Sequence, residues 1–404
     1  FTGASSFLGK YVYYTGTGLG AMNGTISSFK LKRGYMATFA QSPSGSGLSK
    51  CYVAQDGDVE VSVLPANLDK NVGFVYVLPW RWESKKGSCD IAPANLDATW
   101  WYNWNISESS TRDREYVAIK QQPYWPGLGQ NWQTLGVNHL SGYNEPNNSV
   151  EDAYKNLNPP GSVSDAVARW PELLGTGLRV GAPAVTDGGY SWIVDFVSQA
   201  DAAGYRIDYV PVHYYRSYPN NDNAAGAANN LYNYLKSIYD ATRRPIWLTE
   251  FNNGANWTTD ADPTFDQNKN VIEAMVNMMD GTPWIERYSI YSAVEEVRQV
   301  YYNAGGLTPM GLMYSNHVAP LAYVQGLQNN GTRSFTQLRF ETNAFDTSGY
   351  GNNGVTTGSP AYTNGYRGQA MVFDGDNTIV TLPPNVATGS SFTFAAWIYW
   401  GGGA

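Results

Sequence analysis

Between residues 80 and 325, short apolar runs alternate with segments in which apolar side chains recur every three or four positions. The runs Glu83–Ser88, Thr99–Trp104, Tyr116–Gln121, His139–Asn144, Leu178–Val185, Ile207–Tyr214, Pro245–Thr249 and Ile285–Tyr291 read as buried strands. Between them, Ser164–Leu174 carries Ala166, Val167, Trp170 and Leu173 at helical spacing and opens on Ser164-Asp165 as a cap. Ser191–Ala203, Ala227–Thr242 and Asp266–Asp280 repeat the pattern, the last through Val271, Ile272, Met275 and Met278. Strand–helix alternation predicts a parallel α/β architecture. Eight strands fit a (β/α)8 barrel, whose usual size is about 250 residues. A doubly wound sheet would carry a Gly-rich phosphate loop after its first strand, and this chain has none.

The pattern differs on both flanks. Residues 1–79 show alternation of period two in Tyr11-Val12-Tyr13-Tyr14, Tyr35–Phe39, Val59–Val63 and Gly73–Leu78, separated by Gly, Ser, Asn and Asp clusters. They predict a small antiparallel β-sandwich. Residues 337–404 are strand-like again, through Gly368–Gly375 and Phe392–Ile398, and end in Gly401-Gly402-Gly403-Ala404. A jelly roll needs about eight strands, and this stretch supplies about half, so a truncated β jelly roll is expected. Its open edges would need cover from the barrel, a partner segment or the missing half. The expected domains are therefore 1–79, 80–330 and 337–404.

Composition narrows the class. The 404 residues are 43% hydrophobic, 15% charged and 14% aromatic, with 30 Tyr and 14 Trp. Many of these rings lie beside Gly, Asn and Pro, where they suit the C–H faces of sugar rings as well as a β-rich core. A net charge of −8 without a basic run argues against nucleic acid or an anionic membrane as partner. No apolar run approaches the roughly 20 residues of a membrane span, and an N-terminal leader is expected to be already gone, as in a secreted or cell-surface protein. Cys51 and Cys89 admit one bridge in an oxidising compartment, or two buried thiols. The three His are scattered, so no metal or other cofactor is expected.

Two strands end on carboxylates. Leu140-Ser141-Gly142-Tyr143-Asn144-Glu145-Pro146 follows the fourth strand, and Trp247-Leu248-Thr249-Glu250-Phe251 the seventh. In a barrel, catalytic side chains occupy such ends, and two carboxylates across one cleft are the minimal equipment for glycoside hydrolysis. A lone Glu after a strand is usually a solvated loop residue, but this pair leaves room for three intervening βα units. Asn144 could bond a sugar hydroxyl. His213-Tyr214-Tyr215 would place a phenol beside Glu250 and favour its ionised form. Tyr102, Trp104, Tyr124, Trp125, Tyr143, Tyr214, Tyr215 and Trp247 all fall near strand ends, as subsite rings or as core.

Residues 80–325 resemble glycoside hydrolase family 128, the Asl1-like glycosyl hydrolases. The matching segments are Ser84-Lys85-Lys86-Gly87, Thr99–Trp104, Gly142–Asn147, Val180–Ala184, Val212–Tyr215, Trp247–Phe251 and Glu286-Arg287-Tyr288. The resemblance implies a retaining endo-β-1,3-glucanase in which Glu145 is acid/base, Glu250 nucleophile, Asn144 the partner of the 2-hydroxyl and Tyr215 the holder of Glu250. Substrate contacts are expected from Asn144, Tyr102, Trp104, Trp125, His213, Tyr215 and Trp247. One departure bears on the floor of the central subsite: Ser289-Ile290-Tyr291 stands where the family carries an aromatic pair. The same mechanism on another β-linked polysaccharide of the marine galactan type, and a non-catalytic carbohydrate-binding protein, are the alternatives. On the flanks, Asn23–Leu31 followed by Gly34–Phe39 resembles a βγ-crystallin Greek key. Its calcium positions depart at Gly24 and across Asp69–Gly73. The run from Phe345–Gly349 to Trp397-Ile398 resembles the opening of a laminin-G-like, concanavalin-type jelly roll.

Overall fold

The computed structural model describes residues 13–89 and 91–325, then 336, 338, 340, 342–344, 353–365, 369–383, 386, 394, 396, 398 and 399. The expected strand residues Tyr11 and Val12, the segment 345–349, Gly368, the greater part of 392–398 and the tail 401–404 lie outside the described residues. The chain divides into two compact units, Phe1–Asn330 and Gly331–Ala404.

The first unit begins with β1 (Tyr13–Thr15), β2 (Phe29–Leu31), β3 (Tyr35–Ala40), β4 (Ser49–Ala54), β5 (Val59–Val61) and β6 (Phe74–Pro79). They form one antiparallel sheet in the order β1-β6-β3-β4 and a separate pair, β2-β5. The near-continuous apolar runs of β3, β4 and β6 have a simple cause. Successive side chains of a strand face opposite ways, and here both faces are covered. Ala37, Phe39, Tyr52 and Val75 join Leu31, Leu64 and Leu68 in a small core. Met36, Ala40, Cys51, Val53, Phe74, Tyr76 and Leu78 belong instead to the large core of the strand–helix region.

That region carries β7 (Lys86–Cys89), β8 (Trp100–Tyr102), β9 (Glu115–Tyr116), β10 (Ala118–Ile119), β11 (His139–Ser141), β12 (Arg179–Gly181), β13 (Val210–Tyr214), β14 (Ile246–Phe251) and β15 (Ile285–Ile290). Every one of their pairings is parallel, as the strand–helix alternation predicts. β7 pairs β8 and β8 pairs β9; β10 pairs β11 and β11 pairs β12. Single parallel bridges join Gly181 to Tyr209 and Val185 to Val212. β13 pairs β14, β14 pairs β15, and β15 pairs β7. The helices are α1 (Trp132–Leu135), α2 (Asp152–Lys155), α3 (Val163–Leu174), α4 (Tyr190–Ala202), α5 (Ala224–Thr242), α6 (Phe265–Asp280) and α7 (Pro309–Asn316). The cap of α3 is Ser162 rather than Ser164: its hydroxyl accepts the Asp165 N–H, and Ser164 is already helical. Thr264 and Gln267 close a reciprocal capping box on α6. Among the described residues no helix is long and apolar enough to cross a membrane.

Charge lies buried among the parallel strands. Arg179 of β12 holds both oxygens of Glu286 on β15, and Arg287 reaches Glu115 of β9 at 2.7 Å. His139 Nδ1 lies 2.9 Å from the same Glu115. Trp247 belongs to this layer. It is fully buried, stacks on Tyr209 with centroids 3.9 Å apart, and donates its indole N–H to Glu286. Its expected contact with substrate is therefore corrected: it has no surface to offer. Burial, opposed by the Glu115 charge and reinforced by Arg287, holds the His139 pKa down at about 4, from 6.5. The folded value is lowered, so the unfolded chain binds more protons between these limits. Stability contributed by neutral His139 is complete above about pH 6.5 and declines as pH falls toward 4. Acid melts over that window should show a loss of stability that His139→Gln reduces.

Cys51 and Cys89 are both buried and form no disulfide. They belong to different apolar clusters, and the Cys89 thiol donates to the Ile290 carbonyl at 3.2 Å. The second unit contributes two antiparallel pairs: β16 (Val355–Thr357) with β19 (Ile379–Thr381), and β17 (Ala361–Asn364) with β18 (Gln369–Val372).

Candidate active site

The segment after β11 approaches its neighbour closely. A Cβ at Gly142 would lie 2.8 Å from the Pro183 nitrogen and 2.9 Å from Trp170, so only glycine fits. Asn144 bridges Ala184, and the Glu145 N–H donates to the Ala184 carbonyl at 2.7 Å. Glu145 then takes a left-handed backbone, φ 48°. This is unusual for a residue with a long side chain and typical of positions where surrounding bonds over-determine the geometry. Its Oε1 lies 2.7 Å from His213 Nδ1, and its Oε2 accepts from Asn148 Nδ2 at 2.8 Å.

Glu250 arrives on β14. The β13–β14 register shifts between Val212 and His213, so that His213 pairs directly with Glu250. Such bulges re-aim side chains at strand ends. Glu250 is 6% exposed and surrounded by donors. Tyr215 Oη donates to Oε2 at 2.5 Å, while Trp104 Nε1 and Tyr102 Oη donate to Oε1 at 2.9 and 3.3 Å. Trp104 too is left-handed, φ 56°. His213 Nδ1 lies 3.5 Å from Glu250 Oε2 and thus sits between the two carboxylates. Removing the Tyr215 hydroxyl should be felt directly. A hydrogen bond to a charged group is worth about 1.5–3 kcal/mol. Tyr215→Phe is therefore expected to lower kcat by roughly 10- to 150-fold with little change in KM, read from initial rates on oligosaccharide.

The electrostatics follow from these contacts. Burial pushes the Glu145 carboxyl up, but the His213 bond and charge and the Asn148 amide outweigh it and leave the carboxyl below its usual range. Burial pulls His213 down, but the charges of Glu250 and Glu145 leave it above its usual value. One atom each of Glu145, His213 and Glu250 come within 4.8 Å of one another, the only such group among the described residues. The N–H and O–H donors of Asn148, Tyr215 and Trp104 already point at these oxygens and would repel a cation.

The two carboxylates open into a cavity of about 630 Å³. Trp104, Tyr215, Trp257 and Tyr291 give it aromatic walls, and Gln121, Asn144, Asn148 and Thr186 give it neutral polar groups. Glu151 and Asp187 add two further acids. Tyr291 packs edge-on against Tyr215 at 5.5 Å and Trp104 at 6.2 Å. Ile290 is fully buried in the core, whereas the adjacent Tyr291 lines the cavity. A second hollow of about 490 Å³, beside Leu128 and Trp132, shares none of these residues.

Of the expected site residues, Glu145, Glu250, Asn144, Trp104 and Tyr215 meet at this cavity. Tyr102 and His213 are 1% exposed and act on the carboxylates from behind, which corrects their expected direct contact with sugar. Trp125 is 43% exposed, does not line the cavity, and donates its backbone N–H to Gln122. Sequence reasoning missed Gln121, Asn148, Glu151, Thr186, Asp187, Trp257 and Tyr291. Each lies in the segment that follows a strand, and that position is the one signal that could have found them.

A model of the family described as "Glycosyl hydrolase catalytic core" matches residues 73–314, more than half the chain. The curated protein Alkali-sensitive linkage protein 1 of Schizosaccharomyces pombe is 26% identical over 235 residues. That match takes in 54% of this chain and 40% of the relative, so the chain spans well under two thirds of its length. Two solved structures of a family 128 subgroup I endo-β-1,3-glucanase from Amycolatopsis mediterranei are similar. A Glu-to-Ala mutant in complex with laminaripentaose is 26% identical, covering 58% of this chain and 99% of that one, with a TM-score of 0.50. The complex with laminaritriose is 27% identical, covering 57% and 98%, with a TM-score of 0.49. The chain belongs to the glycosyl hydrolase catalytic-core family, with a catalytic domain of the family 128 kind.

Proposed function

We propose that this protein is a retaining endo-β-1,3-glucanase of secreted or cell-surface location, with Glu145 as acid/base and Glu250 as nucleophile. One observation carries the reading: ligand oxygens of Glu145 and Glu250 come within 4.8 Å of each other. Retaining enzymes hold their carboxyl groups about 5–5.5 Å apart, whereas inverting enzymes leave about 6.5–9.5 Å for a water. The parallel pairing, which leaves β7 and returns to it through β15, supports reading the scaffold as a (β/α)8 barrel with both carboxylates at strand ends. The likeness to an endo-β-1,3-glucanase in complex with laminaripentaose supports the substrate. In the same reading, residues 1–79 belong to a βγ-crystallin-like module and 337–404 to a laminin-G-like one.

The chemistry then runs as two displacements. Glu250, aligned by Tyr215, Trp104 and Tyr102, attacks the anomeric carbon. Glu145 protonates the departing glycosidic oxygen, and a covalent glycosyl-enzyme forms. Water, deprotonated by Glu145, releases it with net retention. Glu145 obtains its proton through the bond to His213. A bound sugar chain removes water from both groups, which disfavours the carboxylate–imidazolium state and moves the proton onto Glu145. Asn144, beside Glu145 on the cavity wall, bonds the 2-hydroxyl.

The decisive experiment is the product profile on linear β-1,3-glucan, with the anomer of the first product read by NMR. A ladder of oligosaccharides released as the β-anomer is the expected result. Release from a β-linked galactan but not from glucan would transfer the mechanism to that substrate. Binding of oligosaccharide without turnover of any polysaccharide would leave a carbohydrate-binding protein.

A further inference from the structure

Glu151 serves no purpose in the two-step reaction. It occupies the N-cap of α2, yet its side chain caps no backbone N–H there. The carboxylate turns to the cavity instead, where Oε2 lies 3.5 Å from the Asn144 amide nitrogen. It forms no ion pair with Lys or Arg among the described residues, and burial together with the Glu145 and Glu250 charges pushes its carboxyl up. Asp187, the other additional acid, is partly compensated: Arg216 lies 3.8 Å from it, and it accepts the Tyr215 backbone N–H. Among the described residues that line the cavity, Glu145, Glu151, Asp187 and Glu250 are acidic, and none is Lys or Arg.

We infer that Glu151 is a specificity-determining residue: it restricts the cavity to sugar chains without charged substituents and orients the Asn144 amide toward the ring. This rests on the reading that the cavity takes a polysaccharide. A sulfate or carboxylate on the sugar would enter a cavity lined by four carboxylates and by no Lys or Arg, where it meets like charge at close range. A neutral glucan presents only hydroxyls, which the same oxygens accept. Glu151 also fixes which face of the Asn144 amide is free. The bond from Nδ2 to Glu151 leaves Oδ1 and the second N–H for the sugar.

The test compares two derivatives of one linear β-1,3-glucan at equal degree of substitution, carboxymethyl and hydroxyethyl. They match in size and differ in charge. For the parent protein, kcat/KM on the carboxymethyl form should be at least tenfold below that on the hydroxyethyl form, with the gap narrowing as salt rises. Glu151→Gln should raise the ratio of the two at least tenfold. It should also lower kcat on unmodified glucan severalfold, because the new amide no longer holds Asn144 in one orientation. Asp187→Asn should move the ratio less. A ratio that Glu151→Gln leaves unchanged, or a parent protein indifferent to charge, would overturn the inference. If unmodified glucan is not hydrolysed at all, the function proposed above fails instead. The same pair of derivatives cast into native gels would then decide the charge selection by the protein's retardation, with the same two outcomes.

Discussion

Glu250→Gln should abolish turnover while leaving oligosaccharide affinity within a few-fold of the parent. The substitution keeps the shape of the side chain and replaces the proposed anionic nucleophile by an amide that cannot form the glycosyl intermediate. Removing a covalent nucleophile from a preorganised site costs about 10⁴- to 10⁶-fold in kcat. The new carbonyl oxygen can still accept from Trp104 Nε1, and the Tyr215 hydroxyl, which faces the other position, can turn to accept the new N–H, so the surrounding geometry survives. Calorimetry should show binding retained, and a thermal melt should show the fold intact. A smaller replacement, Glu250→Ala, opens space for an external anion. Azide should restore measurable release and leave an azido sugar of inverted configuration. Activity within tenfold of the parent in Glu250→Gln would remove Glu250 from the mechanism altogether.

Arg179→Met should give the largest loss of stability of any single change in the strand interior. Arg179 and Glu286 have side chains only 2% exposed, joined through two parallel hydrogen bonds. Methionine fills part of the space but leaves the carboxylate with Arg287 and the Trp247 N–H as its nearby donors. Breaking one side of a buried pair costs about 3–5 kcal/mol. The loss should appear as a clear drop in melting temperature at neutral pH. The double replacement Arg179→Met with Glu286→Leu should recover part of it, because no stranded charge remains. A single replacement that melts with the parent would mean that the pair contributes little and that the apolar layer of Trp100, Tyr209 and Trp247 suffices.

Sequence reasoning located the four long helices, the residues that become the carboxylate pair and the strands, because each rests on a local signal. The exception is the run expected as one strand at Tyr116–Gln121, which divides into β9 and β10 with different neighbours. Apolar runs mark strands, periodicity marks α3 to α6, and Asn-Glu-Pro and Thr-Glu-Phe stand at the strand ends. The aromatic residues were read less well for a physical reason. Trp104 and Trp247 are both tryptophans near strand ends, but only the register of β8 and β14 decides which faces the cavity. A bulge at Val212/His213 shifts that register without any mark in composition. The charged interior was equally hidden. Arg179, Glu286 and Arg287 read as polar interruptions of apolar strands, and their partners lie on strands distant in sequence. Tyr291 and Trp257 could be assigned only once loops after different strands were seen to converge on Glu250.

The two-sided burial of β3, β4 and β6 has a practical corollary for anyone cutting this chain into pieces. A recombinant fragment starting at Trp80 would retain every carboxylate and every cavity ring. It would nonetheless leave bare the surface on which Met36, Val53, Tyr76 and Leu78 now lie. An apolar patch of that kind invites self-association. Such a fragment is expected in inclusion bodies, and the smallest soluble catalyst should carry the N-terminal sheet as an inseparable wall of its own interior.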